Sequence, residues 1–157
     1  MVLGIAETPP LRGTVADMLE YKGSHVHTVA PDATVYEAIA MMDARRVGAL
    51  LVMRDEQLLG IVSERDYTRK VILRGRASRE TRVEEIMTRD VITVLGETSL
   101  GECLQLVTDR GIRHLPVTDG TRIIGLVSIG DLVRAVVAQQ AETITSLKSF
   151  IGSDYPT

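Results

Sequence analysis

The chain contains the same segment twice. Shifted by 65 residues, Thr28 to Val71 lies on Thr93 to Val136 without a gap. Identical pairs include Thr28/Thr93, Val29/Val94, Glu37/Glu102, Leu50/Leu115 and Val52/Val117. Identity is densest near the end of each copy, at Gly60/Gly125, Val62/Val127, Ser63/Ser128, Asp66/Asp131, Arg69/Arg134 and Val71/Val136. Upstream, Val15 to Leu19 ("VADML") resembles Val83 to Met87 ("VEEIM") at a shift of 68, so the first copy carries three extra residues near "EYKGSH". A tandem duplication restricts the fold to two similar units that bury their cores against one another.

Both copies show one order of elements. "TVADML" and "TRVEEIM" predict short capped helices, each with a threonine ahead of an apolar and acidic turn. "HVHTVAP" and "DVITVLG" predict brief strands. In "DATVYEAIAMMDARR", Val35, Ala38, Ile39 and Met42 recur at helical spacing, and "ETSLGECLQLVTDRG" follows suit, with Thr34 and Ser99 as N-cap candidates. "VGALLVM" with "LLGIVS", and "IRHLPVT" with "IIGLVS", predict hairpins turning at "RDEQ" and "DGTR". A helix closes each copy. The fold class is α+β, with repeat 1 over residues 14–76 and repeat 2, including its C-terminal helix, over 80–151. Residues 1–13 and 152–157 read as weakly ordered extensions. At about 60 residues, neither copy has a comfortable core of its own. Apolar residues on more than one face of each sheet predict packing of the copies through their sheets.

Ser63 and Ser128 fall where a strand gives way to a helix, with Asp66 and Asp131 near the third helical position. Two uses fit this spacing. One is structural, a capping box with aspartate in the place of glutamate. The other is ligand binding. A helix start offering a hydroxyl and free amides suits a phosphate, and a carboxylate one turn in accepts two bonds from a ribose diol.

The order of elements and the twice-repeated closing motif, Gly60-x-x-Ser63-x-x-Asp66-x-x-Arg69 and Gly125-x-x-Ser128-x-x-Asp131-x-x-Arg134, resemble a tandem pair of cystathionine β-synthase (CBS) domains, a Bateman module of the stand-alone signal-transduction type. Thr68 departs from the apolar pattern in the first copy. The likeness covers about Val15 to Ala138. It implies two pseudo-symmetric repeats in disc-like homodimers, with an adenosyl ligand such as AMP, ADP, ATP, NAD(H) or S-adenosylmethionine in two clefts between the repeats. It also implies that each motif aspartate holds ribose, that each motif serine approaches phosphate, and that the opposite repeat faces the adenine. On that crossed pattern, one cleft joins Ser63, Arg65 and Asp66 to Thr93, Val94, Ile112, Arg113, His114 and Pro116. The other joins Ser128 and Asp131 to Thr28, Val29, Val47, Gly48 and Ala49.

The repeat alignment sets Arg113 and His114 opposite Gly48 and Ala49, and Arg65 opposite Gly130. The first cleft therefore suits a phosphorylated ligand, arginine being a forked donor to phosphate. The second reads as roomier and less charged, for a larger or uncharged adenosyl ligand or none. In a regular strand, adjacent Arg113 and His114 point to opposite faces, so both reach one cleft only if the strand is irregular.

Other features narrow the function. Net charge is -3, which offers no footprint for nucleic acid. No apolar run of about 18 residues suits a bilayer. "MVLGIAETPPLRG" lacks the signature of a signal peptide, and the single Cys103 has no disulfide partner in the chain, which fits a reducing cytoplasm. His25 and His27 lack a nearby cysteine or acidic cluster, so no metal site is expected. Met41, Met42, Leu104, Leu106, Val107 and Cys103 read as helix core. No serine sits in G-x-S-x-G or has a histidine at motif spacing, so the expectation is a regulatory sensor, not an enzyme. A protein-docking scaffold with empty clefts is the alternative. In the last helix, Leu132, Val136, Val137, Ile144 and Leu147 read as core plus dimer surface, and the regulated protein partner is not identifiable.

Overall fold

The computed structural model describes residues 11–154. Its elements follow the duplicated order: α1 (Val15–Lys22), β1 (Thr28–Val29), α2 (Val35–Arg45), β2 (Ala49–Arg54), β3 (Gln57–Ser63) and α3 (Glu64–Lys70), then a 3₁₀ turn, Ile72–Arg74. The second set is α4 (Val83–Ile86), β4 (Val94–Leu95), α5 (Leu100–Arg110), β5 (His114–Thr118), β6 (Ile123–Ser128) and α6 (Ile129–Asp154). The strands form two three-stranded sheets, β1-β2-β3 and β4-β5-β6, each with a parallel first pair and an antiparallel second pair. Register preserves the duplication: Ala49 opposes Ser63, and His114 opposes Ser128.

Local chemistry accounts for most boundaries. Thr34 accepts from the Glu37 amide at 3.1 Å while Glu37 accepts from the Thr34 amide at 3.0 Å, a reciprocal cap that Ser99 and Glu102 repeat. Thr14 and Asp17 open α1 in the same way. The expected cap on α4 differs. Thr81 donates to the carbonyl of Ala77 at 2.8 Å, and Glu85 reaches back to the amide of Arg82 at 2.6 Å. The first hairpin turns through Asp55 (φ 50°) and Glu56 (φ 65°), a left-handed pair that matches strand twist without glycine. In the second, the Asp119 carboxylate accepts from the amides of Thr121 and Arg122 at 2.8 Å each, and Gly120 takes φ 101°.

The first helices of the two repeats are exchanged. Val15 of α1 lies in the core of the second repeat with Leu115, Val117, Val127 and Leu132, and Met18 and Leu19 pack against it. Val83 and Ile86 of α4 lie in the core of the first repeat with Leu50, Val52 and Val62. Backbone bonds hold each helix in its foreign position, from Val15 N to Thr98 O (2.9 Å) and from Val83 N to Ala33 O (2.8 Å). The motif glycines are what admit them. A Cβ on Gly60 would stand 2.7 Å from both Met87 Sδ and the carbonyl of Thr88, and one on Gly125 would stand 2.7 Å from Leu19 Cδ2. Each sheet thus presses its glycine against the helix, or the residues just after it, that belongs to the other repeat by sequence.

Two segments expected to be loose extensions differ in part. Residues 1–10 lie outside the described residues, but the Arg12 amide donates to Gln139 Oε1 and its carbonyl accepts from Gln139 Nε2, both at 2.9 Å. At the other end α6 continues to Asp154, since nothing in "SFIGSD" halts the helix before then. Cys103 is buried in α5, and burial pushes its thiol up to about 11, so it behaves as a small apolar side chain.

Candidate functional site

Ser63 ends β3 and caps α3. Its Oγ accepts from the Asp66 amide at 3.2 Å, while Asp66 Oδ2 accepts from the Ser63 amide at 2.9 Å and from its hydroxyl at 3.1 Å. The structural reading of the motif therefore holds, and it does not exhaust the site. The cap leaves the Asp66 side chain 13% exposed, and its Oδ1 receives Lys70 Nζ at 2.9 Å. Lys70 also donates to the carbonyl of Ile86, tying α3 to the exchanged helix α4.

A cleft of 330 Å³ opens over this cap. That lies at the lower end of the usual range for small-molecule sites, about 300–1,000 Å³. Ser63, Arg65 and Asp66 line it from the first repeat, and Ile112, Arg113 and His114 from the second. Both Arg113 and His114 reach it because β5 begins at His114; Arg113 sits in the bend before the strand, outside the pleat that would send neighbours to opposite faces. The Arg113 carbonyl accepts from the amide of Ile129, which fixes that bend against the start of α6.

The remaining expected residues distribute differently. Gly48, expected beside Ser128, lines the Ser63 cleft, and its carbonyl accepts from the Glu64 amide at 3.0 Å. Ala49 is buried in β2 opposite Ser63, Val29 is buried in β1, Thr28 is exposed, and Val47 packs half-buried on the first core. Val94 and Pro116 are buried in the second sheet, and Thr93 is exposed. Sequence reasoning did not assign to the cleft Arg69, the last residue of the motif, Lys70 after it, or Asp90, Val91 and Ile92 in the connector between the repeats, all of which line it. The connector carries no local signal for this, because its position follows from the exchange of α4.

The cleft has two characters. Ile61, Val91, Ile92 and Ile112 give it apolar wall, and Arg65, Arg69 and Arg113 give it positive charge. None of these three arginines forms an ion pair among the described residues. Burial holds His114 below the ordinary imidazole range, helped by the cations of Arg113 and Lys22 and opposed by Asp131. At neutral pH its ring is therefore uncharged, with one nitrogen donating and the other accepting. The positive charge of the cleft therefore rests on the arginines and not on His114.

The second motif repeats the cap: Asp131 Oδ2 accepts from the Ser128 amide at 2.8 Å, and Ser128 Oγ accepts from the Asp131 amide at 3.1 Å. Two cations stand directly on its carboxylate, where Asp66 has one. Lys22 Nζ lies 2.6 Å from Asp131 Oδ2, and Arg134 Nη2 lies 2.6 Å from Oδ1. Burial pushes the pKa of Asp131 up, but Lys22 and the Ser128 donors outweigh that and hold the carboxyl below its ordinary range. Among the described residues, no group of three or more His, Cys, Asp or Glu is placed to hold a metal ion. Among the described residues, no helix is long and apolar enough to cross a membrane.

Comparison with known proteins places the fold in a family. The family model described as "CBS domain" matches residues 16–72 and again 83–138. The "CBS domain-containing protein CBSX3, mitochondrial" of Arabidopsis thaliana is 42% identical over 151 residues, covering 90% of this chain and 73% of its own. The match to Arabidopsis CBSCBSPB5, 35% identical, covers 78% of this chain but only 22% of that longer protein. Among solved structures, a CBS-domain protein from Burkholderia ambifaria MC40-6 superposes with a TM-score of 0.79 at 50% identity, over 82% of this chain and 96% of its own. The CBS domain pair of protein MJ0100, solved with 5′-methylthioadenosine and S-adenosyl-L-methionine, shares the fold at 23% identity with a TM-score of 0.72, over 81% of this chain and 98% of its own. Both halves of the duplication are CBS domains, and the chain belongs to the CBS domain family as a tandem pair.

Proposed function

We propose that the module binds an adenosine nucleotide in the Ser63 cleft and acts as a regulatory sensor, not as a catalyst. The observation that carries this reading is the chemistry gathered in that cleft. Apolar walls from Ile61, Ile92 and Ile112 suit a flat base, Arg65, Arg69 and Arg113 suit phosphate, and Asp66 is placed one helical turn in for a diol. The binding of adenosyl compounds by MJ0100 supports the class of ligand through the shared fold. AMP, ADP, ATP and NAD(H) all combine these three parts. Ser63 is committed to the Asp66 cap, which argues for binding over nucleophilic chemistry. The cytoplasm is the proposed compartment, although the Arabidopsis relative carries "mitochondrial" in its name.

The signal would pass through a homodimer. Val133, Val137, Ile144 and Leu147 of α6 are 51–61% exposed and follow one another at four, seven and three residues, spacings that keep them along one side of the helix. A second copy of the chain is the proposed occupant of that stripe, and an unidentified protein partner reads the resulting geometry. Isothermal titration with AMP, ADP, ATP and NADH tests the binding. Saturable heat with at least one of them, lost in Asp66→Ala, supports the reading; no heat from any of the four overturns it in favour of a docking scaffold with empty clefts.

A further inference from the structure

The two motifs share a cap and differ in what closes over it. At Asp66 the single cation is Lys70, from the same helix and 44% exposed. At Asp131 there are two, Arg134 from its own helix and Lys22 from the end of α1. Lys22 is held at both sides, since its ammonium also donates to the carbonyl of Leu126 on β6 at 2.7 Å. The side chain of Asp131 is left 8% exposed. The residue matching Lys22 at the upstream shift of 68 is Asp90, which lines the first cleft with a charge of the opposite sign. The first motif thus has no cation from the other repeat on its aspartate; its one cation, Lys70, comes from α3 itself and donates to the Ile86 carbonyl of α4.

A diol binds a carboxylate by donating two hydroxyl protons to it, and those protons need oxygen lone pairs that face the ligand. At Asp131 the ammonium of Lys22, 31% exposed, holds one carboxylate oxygen and the guanidinium of Arg134 the other. We infer that Lys22 is a latch on the second motif: it shuts Asp131 against ribose, so that the module takes one nucleotide per chain, at Ser63 and Asp66. A ligand entering the second motif would have to lift Lys22, and with it the C-terminal turn of α1, which carries Leu19 against Gly125. The latch rests on the reading of each serine–aspartate motif as a ribose site.

Titration calorimetry with AMP on the full chain tests this through stoichiometry. The expected results are one site per chain in the wild type, abolished by Asp66→Ala, and two sites in Lys22→Met, the second abolished by Asp131→Ala. Lys22→Arg, which keeps a cation at the latch, is expected to remain at one site. Should Lys22→Met not give the wild-type circular dichroism spectrum, Lys22→Gln is measured in its place. A wild type with two sites, one of them lost in Asp131→Ala, overturns the latch, as does one site persisting in both unlatched variants. If the wild type binds no AMP but an unlatched variant binds one that Asp131→Ala removes, the latch stands and the Ser63 site falls. If no variant binds AMP, both fall.

Discussion

Lys22 and Asp131, 109 residues apart in the chain, meet at 2.6 Å. The contact joins the end of the first helix to the start of the last one, on a sheet to which the first helix does not belong by sequence. It is therefore both an ion pair and a clasp between the repeats. An exposed pair contributes under about 1 kcal/mol, and breaking a fully buried one costs about 3–5 kcal/mol. This pair lies between those limits, with Arg134 and the Ser128 amide still in place once Lys22 is removed. Lys22→Met is expected to lower unfolding free energy by about 1–2 kcal/mol in urea titration. The sign with pH follows from the depressed Asp131 carboxyl. Its contribution is fully present above the ordinary value of 3.8 and is lost as pH falls through the lower folded value. Wild type and variant should thus converge in stability under strong acid.

The two motif glycines should respond unequally to the same substitution. A methyl on Gly60 meets the backbone carbonyl of Thr88 as well as Met87, and backbone cannot step aside cheaply. A methyl on Gly125 meets first the branched end of the Leu19 side chain. Gly60→Ala is expected to cost about 1–3 kcal/mol and Gly125→Ala less, within the usual range for overpacking. Thermal unfolding of the two variants side by side gives the order.

Arg113 should matter more to nucleotide binding than to folding, because its side chain is exposed and forms no ion pair among the described residues. A charge-assisted bond to phosphate contributes about 1.5–3 kcal/mol, so Arg113→Ala should weaken AMP binding roughly 10- to 100-fold. Adenosine, which lacks the phosphate, should be affected little. Calorimetry with both ligands checks the difference.

His114 gives the fold a second pH dependence of the same sign, nearer neutrality. Its folded value lies below the ordinary 6.5, so the unfolded chain binds the extra proton first. Stability should be complete above about 6.5 and decline as pH falls below it, and His27, also depressed by burial, acts in the same direction. Urea midpoints measured between pH 7.5 and pH 5.5 should fall in the wild type and fall less in His114→Gln.

The exposed stripe on α6 makes the dimer testable by charge. Leu147 is 56% exposed, so Leu147→Glu should leave the monomer fold intact. It should shift the sedimentation coefficient from dimer to monomer. A wild type that already sediments as a monomer, or a variant that stays dimeric, counts against this surface.

Much of the molecule was legible without coordinates. Caps depend on residues three apart, so Thr34 with Glu37 and Ser99 with Glu102 could be read directly, as could both hairpins and the Ser63–Asp66 arrangement. The duplication carried the rest of the fold class, since a shift that superposes Thr28–Val71 on Thr93–Val136 implies the same elements in the same order. Local spacing does not say which core a helix enters. Val15 and Val83 are apolar faces of short helices that fit either repeat, and only the closed structure decides that each packs on the other one. That exchange brings the Asp90–Ile92 connector to the Ser63 cleft, sets Gly60 against Met87, and carries Lys22 across to Asp131. The sequence alone determined the two motifs; tertiary structure decided that Lys22 stands on Asp131, because that charge comes from a helix more than a hundred residues away.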